Sequence, residues 1–524
     1  MAGIRGAYPG AMARVVVVGA GAAGLAVAAR LAARRHEVVL LEAGPRTGGK
    51  LATLRRDGFA FDTGPSMFTL PAVYRDLFLK TGRPLEDEVD LQPVEPGFRY
   101  RFADGTSATL PGVGVAAVAN ALGDALGGTA ADDWRRLMVR AGAMWRLTRD
   151  PVLQSPLEGW RSMARLARRP SDIAAIAPWR TLRGLGRATL RDARLGQLLD
   201  RYATYTGSDP RRAPAVLATV PYVEQTFGVW HIGGGLGALA EAMTRRAERL
   251  GVQVRLQEPV AEILTDGSRV TAVRTVAGAV IGADVVVTDI DARTVYTGLL
   301  DPHRTPVVAA AAAGLRSVTP SLSGLVLLLA LRGRSAAPVH HEVLFPEHYD
   351  GEFDDVFGAR RHPARPPRDP AVYICNPQDP QMRPDDEHES WFVLVNAPRH
   401  GSGRDSRTVD WDAPGLAESY ADRVLSIMAD RGVDVRERIL WREVITPADL
   451  ERGTGSPGGA IYGSASHGPR AAFLRPANRS PLPGLFLVGG SAHPGGGLPL
   501  VAMSAQIVSD LVGRAGPVRE ARGG

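Results

Sequence analysis

The sequence predicts an α/β fold in which one doubly wound unit, assembled from discontinuous segments, carries an inserted mixed α+β domain. Three observations predict it. At 524 residues the chain exceeds what one simple core holds, so two domains, or one elaborated by an insertion, are expected. Near the N-terminus "RVVVVGAGAAGLAVAARLAARRHEVVLLEAG" reads as strand, turn, helix and strand. Close to the other end, "GLFLVGGSAHPGGGLPLVAMSAQIVSDLV" supplies a further strand, a glycine-rich turn and a helix, as though the first unit were being completed.

The first unit is the more explicit. A strand over Val15 to Val18 meets a helix from about Ala22 to Arg34, and a second strand, Val38 to Leu41, ends in Glu42. Gly19 permits the tight turn, Gly21 lets backbone approach a pyrophosphate at the helix N-terminus, and Gly24 permits close packing of helix on strand. Glu42, eighteen residues beyond Gly24, stands where an acid accepts hydrogen bonds from a ribose. Strand before, helix after and acid at the right distance make this a Rossmann-like site for an adenine dinucleotide. The same segment superficially mimics a signal peptide, but the glycine spacing argues otherwise; residues 1–11 carry no pattern.

The loop after Glu42 separates FAD from NAD. In "EAGPRTGGKLATLRRDGFAFDTGPS" a second glycine pair, Gly48 and Gly49, succeeds the acid within one loop, flanked by Arg46 and Lys50, whose cations suit phosphate or flavin oxygens or are simply solvated. Phe61, Asp62, Gly64 and Pro65 then form a rigid turn. On these residues, positions 14–66 resemble the FAD-binding segment of the phytoene desaturase (carotenoid desaturase) family, within the amine oxidase and protoporphyrinogen oxidase superfamily. The ending resembles that family's C-terminal signature at Gly489, His493, Pro494, Gly495 to Gly497 and Pro499.

The resemblance implies an FAD-binding set of Gly19, Ala20, Gly21, Ala23, Gly24, Glu42, Ala43, Arg46, Gly48, Gly49, Lys50, Gly64, Pro65, Val260, Gly489, Gly490, Gly497, Leu498 and Pro499. The "GLFLVGG" strand is expected beside the first strand, with the next helix directing its amides at the cofactor. Relatives often carry Asn where Asp289 stands. His493 has two readings: a residue near the flavin that orients substrate or handles a proton, or one that hydrogen-bonds its loop and shapes the pocket.

Between the two ends the pattern changes. "FRYRFADGTSATL" alternates around a hairpin turn. From Trp134 to Leu199 the chain turns helical, with recurring Arg and with Trp134, Trp145, Trp160 and Trp179. Arg on one face and Trp, Leu and Met on the other suit an interfacial membrane contact, or an ordinary solvated face over a core. Gly234 and Gly235 precede a helix near Ala238, "LSGLVLLLAL" and "ESWFVLVNAP" read as buried strands, and "HHEVLFPEHYD" as a surface turn whose spacing does not suit a metal. The expected division is 12–88, 225–304 and 466–516 for the FAD-binding domain, and 89–224 and 305–465 for the substrate domain, with a membrane-contacting region over 130–200.

Composition narrows the functional classes. The balance of 45% hydrophobic and 22% charged residues is that of a folded chain. A net charge of +7 accompanies no block of basic and aromatic residues of the kind that binds nucleic acid. One cysteine, Cys375, permits neither an internal disulfide nor a cysteine metal cluster and fits a reducing cytoplasm. No stretch of about twenty apolar residues spans a bilayer. The resemblance implies desaturation of a long polyene by hydride transfer to FAD, in a branch that includes 3,4-desaturases of hydroxylated or methoxylated carotenoids. The expected location is cytoplasmic, peripheral on the inner face of the plasma membrane. No carboxylate stands out as a catalytic base, and no motif chooses between quinone and oxygen as electron acceptor. Two alternatives keep the fold: an amine, protoporphyrinogen or retinol-saturase-like oxidoreductase, and a non-redox prenyl-binding protein of the GDP-dissociation-inhibitor type, which the intact Gly19, Gly21, Gly24 and Glu42 set argues against.

Overall fold

A computed structural model describes residues 12–159, 162, 166, 169–301, 305–402, 404–468, 471 and 475–515. Trp160 and the N-terminal residues 1–11 lie outside them. The N-terminal valines form β1 (Arg14–Val18), followed by α1 (Ala22–Ala33) and β2 (Glu37–Leu41). Much later come α2 (Gly237–Arg249), β3 (Gln253–Arg255), β4 (Val285–Thr288), β5 (Leu485–Leu487) and α3 (Leu498–Val512). All five strands are parallel, in the order β3-β2-β1-β4-β5. Both β1 and β2 are buried after their first residue, as continuous apolar strands in a sheet covered on both faces must be.

β5 pairs with β4 through Val286 opposite Leu485, and not with β1 as expected from the sequence. The reason is occupancy: both edges of β1 are already filled, by β2 and β4. The strand order therefore reverses at β1, and in open α/β sheets the crevice beyond the carboxyl ends at such a reversal is where ligands bind.

Helices α1, α2 and α3 cover one face of this sheet, burying Leu25, Leu31, Leu239 and Val508 against Val15 and Val17. The other face is covered by a three-stranded antiparallel sheet (Val260–Thr265, Val270–Thr275 and Val280–Gly282) with the helix Pro306–Ser317. A second large sheet has seven strands, ordered Ile439–Ile445, Ser323–Arg332, His388–Ala397, Val372–Cys375, His341–Leu344, Phe98–Arg101 and Ser107–Leu110. Its outer hairpin is the one signalled by "ADG". Helices Val115–Leu126 and Ala130–Thr148 pack near that hairpin.

Of the four tryptophans that suited either a lipid-facing surface or a core, Trp134 and Trp145 point inward. Trp134 is fully buried and donates to Gln225 Oε1 at 3.1 Å; Trp145 joins an apolar cluster with Leu70 and Met503. Trp179 alone among the described three stays exposed, at 66%. The helix carrying Trp134 and Trp145 runs against other helices, so its apolar stripe is a core stripe.

Candidate active site

Gly19, directly after β1, takes φ +97°, and its amide donates to Leu41 O at 2.8 Å, closing the turn over the end of β2. A side chain at Gly24 would put its Cβ 2.0 Å from Gly19 O, so the helix can enter this close only as glycine. Ala23 is buried beside it. Glu42 caps β2: its Oε2 accepts from Ala20 N at 2.7 Å and its Oε1 from Gly44 N at 2.8 Å. Each oxygen keeps lone-pair capacity for a further donor such as a ribose hydroxyl. The loop then returns across the helix N-terminus, where Gly48 N donates to Ala20 O at 2.8 Å and Gly49 comes so near that a Cβ would lie 3.4 Å from Gly21 Cα. Ala43 and Arg46 are exposed on this loop, Arg46 reaching back to Thr53 O at 3.3 Å.

Asp289, the first residue beyond β4, occupies the middle of the crevice. Its Oδ2 accepts from Gly24 N at 2.7 Å, giving the start of α1 a carboxylate partner. A Cβ at Gly21 would stand 2.6 Å from Oδ2, and one at Gly489 would stand 2.2 Å from Oδ1. Loss of water in this enclosure pushes the Asp289 carboxyl up to about 7, against the opposing pull of the Gly24 amide and the Lys50 ammonium. Its position after "ADVVV" was the signal in the sequence; its partners, at the start of α1 and in the loop after β5, lie far from it in the chain.

Lys50, close enough to act on Asp289, spends its hydrogen bonds elsewhere. Its Nζ donates to Ser456 Oγ, Ala460 O and Ile461 O, tying the first loop to the segment before β5. Burial holds its ammonium below the usual lysine value, with Asp291 and Asp289 opposing. Gly64 passes over the Lys50 carbonyl so closely that a Cβ would fall 2.0 Å from that oxygen, and Pro65 and Ser66 come next. Asp62, left out of the expected set, accepts from Leu236 N at 2.8 Å and Thr53 Oγ1 at 3.0 Å, joining this turn to the start of α2. Burial lifts its carboxyl to about 6.

The C-terminal loop is held by a residue that sequence reasoning passed over. Arg475 is buried and donates to Tyr462 O at 3.0 Å, Gly490 O at 2.8 Å and Ser464 O at 2.7 Å. Gly489 lies buried against Asp289, while Gly497 opens outward at φ +106° just before α3. Leu498 is fixed by its carbonyl, which accepts from the buried Tyr74 hydroxyl at 3.0 Å, and Pro499 takes the first turn of α3. His493 is buried, and its Nε2 contacts Val152 O at 2.7 Å and Ser155 O at 3.1 Å, so this nitrogen carries the proton. Burial lowers its pKa. Val260 opens the antiparallel sheet, packed against the apolar layer beneath β2 and β4.

The histidines of "HHEVLFP" do not form the surface turn expected. His341 is buried in its strand, and His340, His341 and Cys375 bring one potential ligand atom each within 4.8 Å of one another. Burial holds the Cys375 thiol far above its ordinary range.

An anion already accepted at the N-terminus of α1, an acid at the end of β2 and glycines wherever a Cβ would close the crevice fit an adenine dinucleotide. The flavin containing amine oxidoreductase family matches residues 22–345. The chain is 36% identical to the hydroxyneurosporene desaturase of Rubrivivax gelatinosus over 95% of this chain and 93% of that protein. This chain is a member of the carotenoid desaturase family.

Another relative is the 4,4'-diapolycopene oxygenase of Methylomonas sp, 32% identical over 95% of this chain and 98% of that protein. Among solved structures, the cyclohexylamine oxidase of Brevibacterium oxydans shares the fold with a TM-score of 0.61 at 16% identity, covering 96% of this chain and 99% of that one. As a carotenoid desaturase family member the protein is an FAD-dependent oxidoreductase. The α1 N-terminus, Glu42 and the Gly48–Gly49 loop would hold the dinucleotide, and the Gly489–Gly497 loop would meet the flavin end.

Proposed function

We propose that the protein desaturates a long acyclic polyene, late in carotenoid synthesis, on a hydroxylated or methoxylated substrate. What supports this reading is the hydroxyneurosporene desaturase of Rubrivivax gelatinosus, 36% identical, together with an apolar cluster beside the C-terminal loop that suits a hydrocarbon chain. Leu500 and Met503, in the first turns of α3 after Gly497, pack with Leu70, Trp145, Leu153 and Phe227. A polyene has almost no polar handle, so such a cluster supplies its affinity, at roughly 25 cal/mol per Å² buried.

Removal of a hydride from one carbon and a proton from its neighbour forms the new double bond; FAD, when bound, would supply the hydride acceptor, and the proton would pass to water. The chain's own part is to bind, to orient and to exclude water. His493 holds the segment around Val152 and Ser155 over the C-terminal loop, and Arg475 fixes that loop's backbone. Quinone or oxygen takes the electrons onward.

Contact with a membrane surface, on the cytoplasmic face, is part of the proposal because the substrate dissolves there. No described helix is long and apolar enough to cross a membrane. Trp179 and Val139, 66% and 75% exposed, support a superficial contact. Flotation with anionic vesicles at low salt tests it; protein left wholly at the bottom of the gradient refutes it. The desaturase reading is tested by expression in hosts accumulating phytoene or neurosporene and their hydroxylated derivatives, followed by pigment analysis. A longer conjugated system is expected, and an unchanged panel overturns the reading.

A further inference from the structure

Arg201 ends the helix Ala193–Arg201 and is 7% exposed, yet among the described residues its guanidinium meets no hydrogen-bond acceptor. It lies instead over two rings, 5.3 Å from the centre of Tyr205 and 5.2 Å from that of Tyr373. A guanidinium offers five donors, and burying them without an acceptor costs several kcal/mol. The guanidinium nitrogens of Arg201 are not fully enclosed and so border open space, while two polar atoms nearby, His341 Nε2 and the Tyr349 hydroxyl, are fully buried without a partner. Each such group in a folded protein calls for a reason.

The place is next to the flavin loops. Tyr373 OH pairs with Ser66 Oγ at 2.8 Å, directly after Gly64 and Pro65, and with His341 Nδ1 at 2.8 Å. Tyr462, which feels the charge of Arg201, packs where a Cβ at Gly496 would be, 2.6 Å from its ring. Tyr205, Tyr373, Tyr462 and Met67 are only half-buried, so open space adjoins the cation. The counter-charge is also present. Glu224 accepts from Tyr202 OH at 2.6 Å and from Tyr205 OH at 3.5 Å. A second anion would meet this carboxylate, so the ligand that completes the site is a neutral oxygen.

We propose that Arg201, framed by Tyr205 and Tyr373, donates to a hydroxyl, ether or carbonyl oxygen near the end of the polyene and so sets which carbon pair faces the flavin. Apolar contacts alone cannot fix the register of a uniform chain, because sliding by one repeat exchanges like for like; one hydrogen-bonded oxygen removes that freedom. Arg201 is thus a positioning and specificity residue, and the inference rests on the desaturase reading above.

The test uses FAD-loaded enzyme with a hydroxylated acyclic polyene and its hydrocarbon counterpart of equal conjugation length. The ratio of their kcat/KM values is expected to favour the hydroxylated polyene at least tenfold in the wild type. In Arg201→Met that ratio falls at least tenfold, chiefly through KM, and Arg201→Lys, which keeps the charge without the planar fork, restores part of it. A wild-type ratio near one, which depends on no variant folding, overturns the inference while leaving the desaturase reading intact, as does an Arg201→Met enzyme with the wild-type ratio. Turnover of neither polyene by the wild type overturns both.

Discussion

Replacing Asp289 by asparagine probes the crevice where charge matters most. The carboxyl accepts from Gly24 N at 2.7 Å, the same amide face that a pyrophosphate requires. Around it stand Glu42 and Lys50 from the loop after β2, Tyr74 from the helix Ala72–Thr81, and Asp291 two residues on. Without FAD, burial pushes the Asp289 carboxyl up from 3.8 to about 7, a difference worth about 4 kcal/mol. Because the folded pKa lies above the unfolded one, this group's stabilisation is complete below 3.8 and is lost as pH rises through 7. A dianionic cofactor arriving at the same amides selects the neutral carboxyl. If FAD binds only that form, its affinity tracks the protonated fraction and weakens about tenfold, or about 1.4 kcal/mol, from pH 6 to pH 8. Asp289→Asn keeps an oxygen for Gly24 N and carries no charge. Its FAD affinity, read by quenching of flavin fluorescence, is expected to be nearly flat with pH and about tenfold tighter than wild type at pH 8. Melting of the FAD-free variant should likewise lose the decline that the wild type shows between about pH 4 and pH 7. A wild-type dissociation constant equal at pH 6 and pH 8, or a variant with an unchanged pH slope, would refute the reasoning.

Three further substitutions address the frame. Gly21→Val places its Cβ 2.6 Å from Asp289 Oδ2 and should yield colourless protein that stays so after reconstitution; retained yellow colour contradicts the cradle. Arg475→Met removes the donor to three carbonyls, two of them flanking the C-terminal loop. At about 1.5–3 kcal/mol for each charged hydrogen bond, it should lower the melting temperature and loosen FAD together, and a variant that melts and binds as the wild type does would count against it. His493→Ala loses the contacts to Val152 O and Ser155 O at a cost of about 1–3 kcal/mol. It should melt earlier while remaining yellow; unchanged melting with abolished turnover would point to chemistry at this histidine.

The local parts of the site were legible because local physics specifies them. Gly19 and Gly24 are dictated by the turn and by helix contact within one continuous segment, and Glu42 by the length of one helix and strand. Asp289 and Arg475 were not, since their partners Gly24, Gly489 and Gly490 come from other segments and no spacing encodes that meeting. Lys50 shows the same limit: its charge suited phosphate or flavin oxygens or solvent, and the fold adds partners that no local pattern announces, Ser456 Oγ and the carbonyls of Ala460 and Ile461. The tryptophans mark a second limit, because a stripe of apolar residues is the same pattern whether it faces lipid or a neighbouring helix, and only the packing of Trp134 and Trp145 separates the two.

By itself the sequence determined the α/β class, the dinucleotide turn and the return of the chain at its C-terminal end, each set by glycine conformation and apolar period over short range. Tertiary structure alone decided the strand order with β5 beyond β4, the carboxylate at the N-terminus of α1, and the uncommitted Arg201 among tyrosines. These depend on which distant segments share an edge or a cavity, and desolvation, which sets the charge of Asp289 and leaves Arg201 without an acceptor, exists only once those segments have closed around them.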